Sequence, residues 1–218
     1  MELTEAQTTL LNKYISEFIK KMKVNRFIVW DTETNGIHPP SDPALSISAE
    51  LCRITDSRTV EVLDTYDRYY YCPVSYNEHA IKVNGLTYDK VKILRKDNGY
   101  PEYFNDDKGS FIDFCGNVHN YIGHNIIQFD SEYFDDDLMM DNVFDTMLNN
   151  QVFCPLRFNE KTNKNEYANL KRVSQFYDIN IDESKQHQSH YDVELSRLIF
   201  GRMLELSSVR MIKIKEAA

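Results

Sequence analysis

The chain offers little that would tie it to an oxidising compartment, a membrane or a polyanion. Its four cysteines, Cys52, Cys72, Cys115 and Cys154, are scattered, and none forms a Cys-x-x-Cys pair. That spacing argues against a zinc site or a disulfide framework and suits buried thiols in a reducing cytoplasm. No apolar run approaches the roughly 18 residues that read as a membrane-spanning helix. The opening MELTEAQTTLLNKY lacks the basic start and apolar centre of a secretory signal, so a cytoplasmic location without a membrane partner is expected. Positive charge is also scarce: Lys and Arg total 25 against 34 Asp and Glu, a formal net charge of −9. A general electrostatic grip on nucleic acid or an anionic membrane is therefore not expected, although a nucleic acid held mainly through metal ions at one chain end remains compatible. Repeats, low-complexity tracts and a convincing linker are missing too. What remains is a chain of 218 residues, 42% hydrophobic and 12% aromatic, able to bury a substantial core.

The most informative stretch is FIVWDTETNGI, from Phe27 to Ile37. Four apolar residues rich in β-formers precede an Asp-x-Glu pair, and an Asn-Gly turn signal follows. This reads as a buried strand delivering Asp31 and Glu33 to its C-terminal end. Residues two apart on an extended chain share a face, so both carboxylates can aim at one point. Such a pair at the edge of a core is costly unless something positive lies between, and a divalent metal is the obvious candidate.

Around this strand, residues 3–23 have the spacing of an amphipathic helix, begun at Thr4 or Glu5 and ended by Asn25. It reads as a helix packed on the surface, with a protein partner as the alternative. Segments 46–55 and 60–74 read as two further strands joined by a short polar link, giving an antiparallel meander. Tyr69, Tyr70 and Tyr71 alternate between faces and read as packing residues rather than a base-stacking cluster. Residues 77–96 look helical with a break at Asn84-Gly85, and a short helix follows a polar loop at 111–121. A strand is expected at about 119–123, leading into NIIQFD, with Asp130 at the start of a helix whose N–H groups favour the anion. VFDTMLNNQVF (143–153) reads as a strand passing into a helix. The loop 155–167 carries Arg157, Lys161 and Lys164, which suit a solvated loop or a phosphate contact. A helix at 169–179 precedes a final one over 189–215, where Ser189 and Asp192 match a capping pattern. Strands first, then helix–strand alternation, imply an α/β domain with a mixed sheet: one domain over 25–218, preceded by a helix within 1–24.

Taken in order, D-T-E-T-N-G, N-x3-F-D and H-x4-D span about 160 residues. This series resembles the three motifs of the DEDDh, or DnaQ-like, 3′→5′ exonuclease family of the ribonuclease-H-like superfamily, over roughly residues 26–205. Softer matches are HAIKVNGLTYDKV, VFDTMLNN and NLKRVSQFYDI. The resemblance implies a ribonuclease-H-like α/β fold: a mixed five-stranded sheet, an antiparallel meander followed by parallel strands, flanked by helices. It maps Asp31 and Glu33 to the first acidic pair, Asp130 to the second acid, Asp192 to the third and His187 to the histidine. His190 stands too close to Asp192 to match. Gln188 occupies the position where the sister subfamily has tyrosine, and Asn35 departs from the usual threonine. Asp145 is a candidate for indirect support of the site.

By the same resemblance two Mg²⁺ or Mn²⁺ ions are expected per site, with Asp31 bridging them. Glu33 and Asp192 would hold the ion carrying the attacking water, Asp130 would complete the second, and His187 would act as general base. Oxygen ligands suit such hard ions. Thr32, Thr34, Asn125 and Phe129 are the expected surroundings of the terminal nucleotide. The expected partner is single-stranded nucleic acid with a free 3′ end, DNA favoured over RNA. An exoribonuclease of the same family, a catalytically silent nucleic-acid or polymerase-associated module, and a structural metal-binding protein are the competing readings.

Overall fold

Phe27, Ile28, Val29 and Trp30 are completely buried and form the centre of the molecule. They belong to β1 (Phe27–Thr34), the middle strand of a five-stranded sheet. The structure, a computed structural model, describes residues 3–96, 99–134, 136–161 and 163–209. After α1 (Glu5–Lys21) and β1 come β2 (Ala44–Ile54), β3 (Val60–Tyr69), α2 (Glu78–Asn84), α3 (Tyr88–Arg95) and α4 (Lys108–Cys115). They are followed by β4 (Asn120–Gly123), β5 (Asn142–Asp145), the short hairpin β6 (Arg157–Asn159) and β7 (Lys164–Glu166), then α5 (Leu170–Phe176) and α6 (Ser189–Leu206). The main sheet runs β3-β2-β1-β4-β5. β1, β2 and β3 form an antiparallel meander, whereas β4 and β5 run parallel to β1. This is the ribonuclease-H-like mixed sheet that the motifs imply.

Alternation along β1 splits its apolar residues between two cores. Phe27 and Val29 join Leu11, Ile15 and Phe18 of α1 and Ile199, Phe200 and Met203 of α6. Ile28 and Trp30 join Phe111 and Cys115 of α4 with Tyr133 and Phe134. The apolar face of α1 is therefore already occupied within the chain, and any partner would meet its polar face. Thr4 and Gln7 close a capping box at its start.

Several elements differ from the reading of the sequence. α1 stops at Lys21 with Met22 as its cap, while Asn25 instead donates to the Ile54 carbonyl. β3 ends at Tyr69, and Tyr69 and Tyr70 enter different cores, as alternation requires. Asp130 starts no full helix but one 3-10 turn, Asp130–Tyr133, and the segment after β5 forms a similar turn at Leu148–Asn150. The loop at 155–167 contains the β6–β7 hairpin. α6 ends at Leu206, capped by Ser207, and the expected continuation through 210–215 lies outside the described residues. Its N-cap is Gln188, without a side-chain capping bond; Ser189 is the first helical residue and is turned into the core. Among the described residues, no helix is long and apolar enough to cross a membrane.

Candidate active site

The C-terminal half of β1 places Asp31 and Glu33 on the face shared with Phe27 and Val29, and Thr32 and Thr34 on the opposite one. Both carboxylates are half-buried. β4 approaches β1 closely at Gly123, where an added Cβ would lie 2.8 Å from Ile126 Cβ and 3.0 Å from the Trp30 carbonyl oxygen. The missing side chain lets the two strand ends close together just before the 124–130 loop.

That loop carries Asp130, which is 2% exposed and bound to β1. The Thr32 N–H and hydroxyl both donate to Asp130 Oδ1, at 2.9 and 2.6 Å. Asp145, at the end of β5, holds the loop from beneath. Its carboxylate accepts the N–H groups of Asn125, Ile127, Met147 and Leu148 at 2.9–3.3 Å. Asn125 adopts a left-handed backbone, φ 66°, and its side-chain oxygen is buried without a protein partner. Phe129 is half-buried and, with Thr32 and Thr34, lines a cavity of about 610 Å³ that also touches Ile37, Ala80 and Val83.

Asp192 arrives from the other side, in the first turn of α6. His187 has a left-handed φ of 59°, and its backbone N–H donates to the Asp192 carboxylate. One donor atom from each of Glu33, His187 and Asp192 lies within 4.8 Å of the others. Asp31 and Asp130 stand outside that trio, but their charges reach it. Burial, then Asp130, Asp192 and Glu33 in turn, push Asp31 well above the usual carboxylate range. Burial followed by Asp192 and Asp130 raises Glu33 to about 8, against a smaller opposing effect of the Asn84 side chain. Burial raises Asp130 to about 7 despite its bonds from Thr32, and Asp192 to about 7 despite the His187 N–H. Desolvation moves His187 the opposite way, toward the neutral imidazole. All four carboxyl groups are thus disfavoured as bare anions, and the oxygen-rich donor set fits a hard divalent cation.

Of the residues expected from sequence, Thr32, Thr34 and Phe129 border one cavity, Glu33, His187 and Asp192 form the tight trio, and Asp130 is tied to Thr32. Asn125 contacts Asp145 rather than that cavity. His190 is exposed and stays outside the trio. Two asparagines went unassigned. Asn35 accepts from the Asn77 N–H and donates to the Ser75 carbonyl, fixing the turn after β1 to the start of α2. Asn84 donates to the Thr34 carbonyl and accepts from the Leu86 N–H. The Asn84-Gly85 pair signalled a turn but not this contact with β1. A second cavity of about 320 Å³, lined by Glu33, Asn84, Lys82, Lys90 and His187, lies beyond Asn84.

No protein-family profile and no curated protein matches the sequence. Among solved structures, the fold is similar to E. coli exonuclease I in complex with a dT13 oligonucleotide, with a TM-score of 0.60 and 15% identity over 81% of this chain and 40% of that one. The zinc-bound form of the E. coli exonuclease I–ssDNA complex gives a TM-score of 0.58 at 16% identity, over 83% and 42%. An apo exonuclease I gives 0.60 at 16% identity, over 86% and 43%. The chain spans about two fifths of the length of these proteins. Its likeness to them is one of fold, the ribonuclease-H-like mixed sheet.

Proposed function

We propose that the chain is a metal-dependent 3′→5′ exonuclease that removes nucleoside monophosphates from the 3′ end of single-stranded DNA. The observation that carries this reading is the meeting of Glu33, His187 and Asp192 within 4.8 Å, beside half-buried Asp31 and buried Asp130. Support for DNA comes from the similar structures, which hold a dT13 oligonucleotide or ssDNA.

Asp31 would bridge two divalent ions, Mg²⁺ or Mn²⁺, with Glu33 and Asp192 holding one and Asp130 the other. When bound, such ions neutralise charge on the phosphate and lower the pKa of water. Both bonds from Thr32 fall on Oδ1 of Asp130, so they orient that carboxylate without using its second oxygen. His187, whose pKa desolvation moves downward, would take the proton of the attacking water. The Asp192 carboxylate, bonded to the His187 backbone N–H, keeps the histidine beside the water it serves. Thr32, Thr34 and Phe129 border the cavity that receives the terminal nucleoside, and an unstacked single strand can enter it more readily than a duplex.

The test is incubation with end-labelled single-stranded DNA and RNA in Mg²⁺, Mn²⁺ or chelator. Stepwise shortening of DNA only with metal is expected. Preferential loss of RNA would move the substrate to RNA, and intact DNA and RNA under every condition would favour a catalytically silent module.

A further inference from the structure

Two rows of residues cross the sheet from β1 to β3. Asp31 pairs with Ser48 and Ser48 with Asp67, while Glu33 pairs with Ser46 and Ser46 with Tyr69. Cross-strand partners share a face, so both serines lie on the side of the sheet that carries the two acids. α6 sets its first residue, Ser189, upon them. The Ser189 hydroxyl is 2.9 Å from that of Ser46 and 2.7 Å from that of Ser48, and Ser48 is 2.5 Å from Asp67 Oδ1. The three serines are at most 1% exposed.

The direction of this chain follows from proton counting. Asp67 as a carboxylate can only accept, so Ser48 donates to it. Each hydroxyl has one proton. Ser48 has then spent its own and accepts from Ser189, and Ser189 in turn accepts from Ser46. Tyr69 gives Asp67 a further side-chain hydrogen bond. A charged acceptor on β3 therefore orders three hydroxyls, two on β2 and one on α6. Apolar packing of Val193, Ile199 and Phe200 explains why α6 lies on the sheet, but such contacts are not directional. The hydroxyls act at the turn that bears His187 and Asp192.

We propose that Asp67, through Ser48, Ser189 and Ser46, is a positioning residue that sets the distance between Glu33 and the His187–Asp192 turn. The proposal deepens the reading of that trio as part of one metal site and rests on it. It assigns a purpose to three buried serines at a helix–sheet contact where alanine would pack as well.

Two measurements test it, each on the full chain without substrate: amide hydrogen exchange at Tyr191 and Asp192, and the dissociation constant for Mn²⁺. Ser189→Ala should speed exchange at these amides and weaken Mn²⁺ binding by about 10-fold, the scale of a lost supporting contact. Asp67→Ala should do the same to a smaller extent, and because Asp67 is exposed this variant will fold. Ser196→Ala, which removes a buried serine from the same helix, should leave both readouts at wild-type values. Unchanged exchange and affinity in Ser189→Ala, or an equal change in Ser196→Ala, overturns the proposal. If exchange responds as expected but wild-type protein binds no Mn²⁺, the metal reading fails while the positioning chain stands.

Discussion

Asp130 and Asp192 are both late carboxylates aimed at β1, yet they are held by opposite means. Asp130 sits in a single 3-10 turn that Tyr133 and Phe134 anchor in the second core, and polar bonds orient its carboxylate. Thr32 grips its oxygen directly, and Asp145 gathers two N–H groups of the loop and two of the turn after β5. Asp192 stands on α6, an 18-residue helix whose inner face lies in the main core, and only its first turn requires polar ties. A short irregular segment can be as well placed as a long helix, with a few buried hydrogen bonds orienting the carboxylate that its packed aromatics bring to β1. The two sides of the site should therefore fail differently when disturbed.

In the proposed mechanism Asp31 would serve both sides, and Asp31→Ala should then have the largest effect. Loss of several kcal/mol of transition-state charge stabilisation corresponds to at least about 10³-fold in kcat, measured with excess Mg²⁺. Retained activity would separate Asp31 from the site. On the α6 side, His187→Ala should lower kcat by about 10²–10⁴-fold while Mn²⁺ affinity stays near wild type. A matching fall in affinity would make His187 a ligand instead of a base. On the loop side, Asp145→Ala leaves four N–H groups without their acceptor and should lower stability in urea by about 3 kcal/mol, with activity falling through the displaced Asp130. Ser189→Ala should weaken metal affinity while lowering stability by only about 1–2 kcal/mol, less than Asp145→Ala; equal losses would erase the distinction between the two sides. Thr32→Val keeps the backbone donor but removes the hydroxyl, and should lower stability by about 1 kcal/mol.

The same carboxylates give the metal-free protein a pH dependence. Glu33 is raised to about 8 in the folded state against about 4.3 in an unfolded chain. The folded protein then holds more protons than the unfolded one between these values, so this group's contribution to stability is full below about pH 4.3 and is lost as pH rises through 8. Asp130 and Asp192, raised to about 7, act in the same direction. Melting temperature without metal should fall between pH 6 and 8.5, and added Mn²⁺ should raise it more at the upper pH. A larger Mn²⁺ effect at pH 6 would contradict the coupling.

Much of this was legible beforehand for physical reasons. Four buried β-formers, an Asp-x-Glu pair and an Asn-Gly turn make β1 recognisable from a few adjacent residues, and the β2–β3 pairing follows from its short polar link. The supporting contacts were not legible, because they join distant positions: Thr32 meets Asp130 across 98 residues, and Ser46 meets Ser189 across 143. Local chemistry even misled at Ser189, whose capping pattern with Asp192 is real in sequence but whose hydroxyl is drawn to Ser46 and Ser48. The helix expected at Asp130 is one 3-10 turn, Asp130–Tyr133. Asn35 departs from threonine at a place where its side chain ties two loops together.

The most direct test of the central claim follows the polarity of cleavage. A 5′-labelled single-stranded DNA oligonucleotide should give a descending ladder with Mg²⁺ and stay intact in chelator. Label released at once as a mononucleotide, or cleavage that persists without metal, would contradict a carboxylate site that acts on 3′ ends through bound ions.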